Sequence, residues 1–488
     1  MQISPRRLVR DLRANLHPGE LFYWTLGNGI YWGLRLTMRV QLYGMARNYG
    51  PPAPATLVIA THKRDWDPIL FATQSYYQRG WFAPDGRRIG FAGRADMWDR
   101  GFLATVVGYR NWPNWAQRLL DASSFAPIAN RMRVYPILRV PEYTLRQYLP
   151  ALLREEGNLP LSVVLSPETL LAFAHRADAL RARRKRYASE QSDTLRLSAV
   201  LGWEYRPLTN RPVRASHLTT ARYQQMREGL RAAIDAQIET LARSLDSGDT
   251  LWFAPEGAVT LDGRVMRLRG GLHALLARAR ADTRCLPSNV TYDFMTSQRR
   301  MIACLAVGPE LIGLRALERS AQTLQVTQAL ARQTTVTMSQ LGSARLLALL
   351  EEQCLQFDPQ TEAPMLLAQA RRLAAQGAWV QRDLLTERGL RRRLRDFLAY
   401  AERQQLLLAD DENGYLINAK AAQRGSSRYW ENPVRYCANE LATLEAALQL
   451  ERSITAPLPA LNAAPEPAGE AEPSEQVVAD ASAYSPAD

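Results

Sequence analysis

The sequence predicts an α/β protein: a largely parallel central sheet flanked by helices, then an α-helical C-terminal unit and a disordered tail. Short apolar runs with strand character recur at TLVIA (56–60), VYPIL (134–138), TLWFA (250–254), NVTY (289–292) and MIACLAV (301–307). Helical stretches lie between them, most clearly at 217–244. Parallel strands need crossover connections, usually helices, so buried strands alternating with helices point to this class. Beyond residue 315, Leu and Ala recur three and four apart as far as 455, the spacing of helix faces.

The chain's 488 residues exceed one ordinary core and fit two or three structural units. Residues 1–45 are expected to form interfacial amphipathic helices. In 18–44, Phe22, Tyr23, Trp24, Tyr31 and Trp32 mix with leucines ahead of Arg35 and Arg39, with a possible break at Gly27 or Gly29. Trp and Tyr suit a lipid headgroup zone, and Arg reaches lipid phosphate. Packing on the domain core is the plainer reading of the same helix. The α/β domain is placed at 46–312, with an irregular basic insertion at about 146–215 that includes RADALRARRKR (176–186). That run reads as a solvated helix face or as a membrane-surface contact. The helical unit is placed at 313–455, where LAYAERQQLLLADDENGYLI has the pattern of a helix and a hairpin. Residues 456–488 are Ala/Pro/Glu-rich and expected to be disordered.

Charge narrows the partners. The tail carries six acids and no Lys or Arg, so the rest holds 61 bases against 42 acids, a net of +19. An excess of that size suggests anionic lipid, nucleic acid or a phosphorylated substrate. No helix-turn-helix, zinc-finger or RNA-binding aromatic pattern favours nucleic acid. The four cysteines form no CxxC pair and read as small buried hydrophobes in a reducing compartment. No signal peptide and no run of about 18 apolar residues is seen, so a cytoplasmic, membrane-peripheral location is expected.

The first chemistry-bearing segment is THKRDWDP (61–68). His62 follows an apolar strand directly, and Asp67 lies five residues on. In open α/β sheets, ligands sit at the carboxyl ends of strands. A histidine there, with a carboxylate to fix its tautomer and stabilise the imidazolium, is a general base. Asp65 is a rival orienting partner. The second segment is TLWFAPEGAVT (250–260), where a strand runs into Pro255-Glu256-Gly257. Gly257 permits a sharp turn and close backbone approach. No GxGxxG, GxxxxGK[ST] or HExxH is present, and the other histidines lack ligand spacing, so neither a cofactor nor a metal is expected.

Strand–His-x4-Asp, then strand–Pro-Glu-Gly, then LPSNVTYD (286–293) is the block order of the glycerolipid acyltransferases. Over roughly 35–310 the chain resembles the glycerol-3-phosphate and lysophosphatidate acyltransferase superfamily. TMRVQLYG (37–44) and RLRGGLHALLARA (267–279) resemble that family's flanking segments. The resemblance implies that His62 takes the proton of an acceptor hydroxyl attacking an acyl thioester, with Asp67 orienting it. It implies that Glu256 and Gly257 shape the acceptor site, and that Arg139, ending VYPILR, binds the acceptor phosphate. Pro287, Asn289 and Tyr292 would lie near the acyl chain or be structural.

The family pattern has Asn before the His, a small hydroxyl residue two after it, and Thr-Arg-Ser after Pro-Glu-Gly. Here these are Thr61, Arg64 and Ala258-Val259-Thr260. Arg264, Arg267 or Arg269 would supply the missing charge, and Arg211 rivals Arg139. Arg139 is preferred because it ends a buried strand. The expected function is acyl transfer from acyl-CoA or acyl carrier protein to glycerol-3-phosphate or 1-acylglycerol-3-phosphate, on an anionic membrane surface and without nucleic acid. The alternative is a non-catalytic basic membrane-surface protein on a degenerate fold of the same kind.

Overall fold

The computed structural model describes residues 18–45, 55–77, 89–98, 115, 119, 123–139, 143–183, 195–410, 414–422 and 431–455. The expected disordered tail, 456–488, lies outside the described residues, as does part of the basic run at 184–186.

Helix α1 (Pro18–Thr37) leads into β1 (Met38–Tyr43). Two expectations for 1–45 are corrected here. The helix runs unbroken through Gly27 and Gly29, and it ends at Thr37, whose hydroxyl turns back to donate to the Gly33 carbonyl at 3.0 Å. Residues 38–43 are therefore an edge strand and not interfacial helix. Their backbone pairs with β7 from Met38↔Met301 to Tyr43↔Ala306. Pairing with an available sheet edge outweighs continuation of an apolar helix.

The core elements follow in order: β2 (Thr56–Ala60), α2 (Asp67–Tyr77), β3 (Ile89–Arg94), α3 (Ala126–Arg131) and β4 (Val134–Ile137). An inserted helical unit holds α4 (Leu145–Glu156) and α5 (Pro167–Arg183). The sheet then resumes with α6 (Thr220–Asp246), β5 (Thr250–Phe253), α7 (Gly271–Arg278), β6 (Arg284–Asp293) and β7 (Met301–Val307). The seven strands lie in the order β1-β7-β6-β2-β5-β3-β4. Every neighbouring pair is parallel except β6–β7.

Alternation along β2 explains the layers. Leu57 and Ile59 join a core with Ile238 and Leu241 of α6 and Leu272 and Leu275 of α7. Val58 and Ala60 face the other way, with Leu34 of α1 and Leu70 and Phe71 of α2. Burying each such side chain contributes about 1.5–3 kcal/mol before chain entropy is counted.

Among its described residues, the stretch expected to be irregular, about 146–215, is largely helical and has its own core. Leu145, Tyr148, Leu149 and Leu152 recur at helix spacing along α4 and pack with Leu161, Phe173, Leu197 and Leu218. Pro150, with Arg146 and Arg154, masks that period of α4 in the sequence.

The C-terminal region holds α8 (Arg319–Arg332), α9 (Met338–Glu351), β8 (Gln356–Phe357), α10 (Pro359–Ala375), α11 (Glu387–Arg403), β9 (Leu407–Asp410), β10 (Gly414–Ile417) and α12 (Pro433–Thr455). Helix α11 followed by the β9–β10 pair is the helix-and-hairpin pattern read from 398–417. Residues 1–448 form one compact unit, sheet and C-terminal helices together, and 449–488 a second. Cys285, Cys304 and Cys437 are buried, but Cys354, on the loop after α9, is exposed, contrary to expectation. No described helix is long and apolar enough to cross a membrane.

Candidate active site

Strands β2 and β5 are parallel neighbours in the register Ile59↔Phe253. His62 and Glu256 each lie three residues beyond that pair, so the two loops leave the sheet side by side. The Glu256 carboxylate joins them: Oε2 accepts from the His62 backbone N–H at 3.0 Å, and Oε1 accepts from the Met266 N–H at 2.7 Å. The His62 carbonyl in turn accepts from the Thr260 N–H at 2.7 Å. His62 is thus held by its backbone, on both sides, by the loop that follows β5.

Its ring is held by Asp67, the first residue of α2. Nδ1 of His62 lies 3.4 Å from Asp67 Oδ2, with the Asp67 side chain fully buried and the His62 side chain 15% exposed. That separation is at the long end for a hydrogen bond. The same Oδ2 accepts from the backbone N–H groups of Lys63 at 2.5 Å and Arg64 at 2.8 Å. The Tyr292 hydroxyl donates to the other oxygen, Oδ1, at 2.5 Å. With its oxygens engaged from three sides, the carboxylate has one orientation. Asp65, the rival partner, is exposed, so Asp67 takes this position. The edge of the His62 ring also meets Trp252 of β5, centroids 5.7 Å apart at 81°.

Burial governs the electrostatics. Glu256 is 1% exposed, and desolvation raises its pKa to about 7, against the opposing pull of the His62 and Met266 amides. The Tyr292 hydroxyl is pushed well up, first by burial and then by the Asp67 charge, so it stays a donor.

Thr61 and Arg64, which flank His62 and Lys63, both have partners. Thr61 donates to Asn289 Oδ1 at 2.7 Å, tying β2 to β6. The Arg64 guanidinium lies over the rings of Tyr292 at 4.6 Å and Phe294 at 5.4 Å.

The candidate phosphate ligands separate. Gly257 has φ +67°, and a Cβ there would come within 2.8 Å of Arg269 Cδ. The Arg269 N–H donates to the Pro255 carbonyl at 2.8 Å. Its half-buried guanidinium side chain therefore lies against the Pro255–Gly257 turn, with no carboxylate partner among the described residues. Arg139 leaves β4 at the same edge of the sheet as His62. In the strand order, however, β4 is the third strand from β2, roughly 14 Å across at about 4.8 Å per strand. Arg211 is exposed on the inserted unit, where its charge acts on His217. The structure therefore brings together His62, Asp67, Glu256, Gly257 and Arg269. Arg139 follows β4, three strands from β2, and Arg211 lies on the inserted unit. The sequence prefers Arg139 to Arg211; strand order, hidden in the sequence, adds that the end of β4 lies three strands from that of β2, while Arg269 lies against the turn next to it.

Two partnerships went unseen in the sequence. Tyr292 belongs to Asp67, because β6 lies next to β2. Lys63, 3% exposed, pairs with Glu440 of α12. Its only sequence signal is a charged residue inside a strand-end motif. Among the described residues no group of three His, Cys, Asp or Glu is arranged to hold a metal ion. Comparison of the chain with models of protein families, with curated proteins and with solved structures found no match.

Proposed function

We propose that this protein is an O-acyltransferase that moves a fatty acyl group from a thioester to the hydroxyl of a glycerol-phosphate acceptor. The observation that carries the reading is the His62–Asp67 pair at the end of β2, backed by Tyr292 and fixed by Glu256. In the mechanism, Nε2 of His62 accepts the acceptor's hydroxyl proton as its oxygen attacks the thioester carbonyl. Asp67 holds the proton on Nδ1 and stabilises the imidazolium that forms. Collapse of the tetrahedral intermediate expels the thiolate, which takes the proton from His62. The acceptor phosphate is assigned to Arg269, whose planar guanidinium binds phosphate bidentately and stays charged.

Docking on an anionic membrane is part of the proposal. Along α1, Tyr31 and Leu34 are buried while Trp32 and Leu36 are 42% and 68% exposed, next to Arg35 and Arg39. One face is thus anchored and the other is free to enter an interface. Liposome sedimentation at rising salt checks this part, with binding expected to require anionic lipid and to weaken as salt rises.

The function is tested with labelled acyl-CoA and acyl carrier protein as donors. Glycerol-3-phosphate, 1-acylglycerol-3-phosphate and glycerol are the acceptors. Acylated product is expected with a phosphate-bearing acceptor, and far less with glycerol. No product from any glycerol-phosphate acceptor, with either donor, would overturn the proposal.

A further inference from the structure

The region after β7 has no counterpart in the motifs above, yet it reaches both active-site loops. The residue after His62 is Lys63, whose ammonium is buried, its side chain 4% exposed, and pairs with Glu440 Oε1 of α12 at 2.5 Å. The other carboxylate oxygen of Glu440 accepts from Gln340 Nε2 of α9 at 3.0 Å. One helical turn of α12 also supports the loop after Pro-Glu-Gly. Asn439 Nδ2 donates to the Asp262 carbonyl at 2.9 Å. Gly263, at φ +82°, packs so closely on the Tyr436 carbonyl that no Cβ fits.

We propose that Glu440 is a positioning residue: acting through Lys63, α12 sets the orientation of His62, and the C-terminal region thereby completes the active site. This rests on the general-base reading of His62. Lys63 is fixed at both ends, its N–H on Asp67 and its ammonium on Glu440. A buried ammonium without a carboxylate must find water. Without this directional pair, whether Glu440 is lost or both side chains are made apolar, residue 63 is no longer drawn to one position, and its N–H shifts on Asp67. That bond is one of those that orient the carboxylate facing the His62 ring. Displacing a catalytic group by about 1 Å costs on the order of 100-fold in rate. An apolar pair holds a fold at least as well as a buried ion pair, which separates positioning from plain stability.

The test uses the full chain carrying Lys63→Met and Glu440→Met together, an apolar replacement expected to fold. Three quantities are read: kcat, acceptor KM, and the ring signals of ¹³C-labelled histidine. The chain has five histidines, so His62 is assigned by its loss in His62→Ala. The expected result is kcat lower by about 10- to 100-fold, KM within about twofold, and a shifted His62 ring signal. Wild-type kcat with an unshifted His62 signal would overturn the proposal. Should the double variant not fold, Glu440→Gln keeps the shape and removes the charge. A kcat at least about tenfold lower is then expected, and wild-type kcat would sink the idea. If the wild type transfers no acyl group at all, the acyltransferase reading fails. The His62 signal then still decides whether Glu440 positions the ring.

Discussion

Between Tyr143 and Leu218 the chain buries leucines, valines and aromatics, and among the described residues there Thr209 is the one buried polar side chain. Around the ends of β2, β5 and β6 the balance is reversed. Lys63, Asp67, Glu256, Asn289, Asp293, Gln340 and Glu440 are each at most 3% exposed. Burying a charge without a partner is costly, and each of these has partners: Asp67 takes Tyr292, Glu256 takes two amides, Lys63 takes Glu440, and Asp293 takes Arg393. The inserted unit shows what a segment looks like when only packing matters. The strand ends show polar groups held in fixed directions in a low-dielectric setting, the condition for acid–base chemistry.

Substitutions can sharpen that contrast or break it. The largest effect is expected from Asp67→Asn, which keeps the shape but loses the carboxylate that fixes the His62 tautomer. It should lower kcat by about 10³-fold or more while the protein stays folded by circular dichroism. In the inserted unit, Leu149→Ala removes a fully buried side chain and should cost about 2–5 kcal/mol of stability in urea unfolding. Its kcat per folded molecule should stay near wild type. A large fall in kcat there would dissolve the distinction between the two regions.

Glu256 offers a test by pH. Its pKa in the fold is about 7, against an ordinary value of 4.5. Between these values the folded chain binds the extra proton, so its stability falls as pH rises through the window. In Glu256→Gln, the part of the pH slope between about 4.5 and 7 that this residue supplies should vanish, as read from urea midpoints. An unchanged slope would mean that Glu256 does not titrate there. The smallest effect is expected from Tyr292→Phe. It removes one donor to Asp67 and leaves the Lys63 and Arg64 amides in place, so kcat should fall by about tenfold, the equivalent of one ordinary hydrogen bond.

Much of the sheet was legible in the sequence, because β2, β5 and β7 are continuous apolar runs with turn residues around them. Strand β3 was not, since IGFAGR carries two glycines and an arginine and reads as a turn. Strand β1 was hidden by an aromatic helix that runs into it without a break. His62 and Glu256 could be picked out because each lies just beyond the end of a strand, and Asp67 because it follows His62 by five residues. Tyr292, Arg269 and Glu440 could not be assigned to them. Their places depend on strand order and on a contact between residues 377 apart, which no local pattern encodes. Helix α4 was missed because Arg146, Pro150 and Arg154 interrupt a period that its buried side keeps.

The most direct measurement is the acceptor-dependent release of thiol from an acyl thioester by wild type and by His62→Ala, compared at equal folded concentration. Loss of the general base should slow release at least about 100-fold. Equal rates from the two proteins would contradict the account, because the proton would then leave the acceptor by a route that does not involve this imidazole.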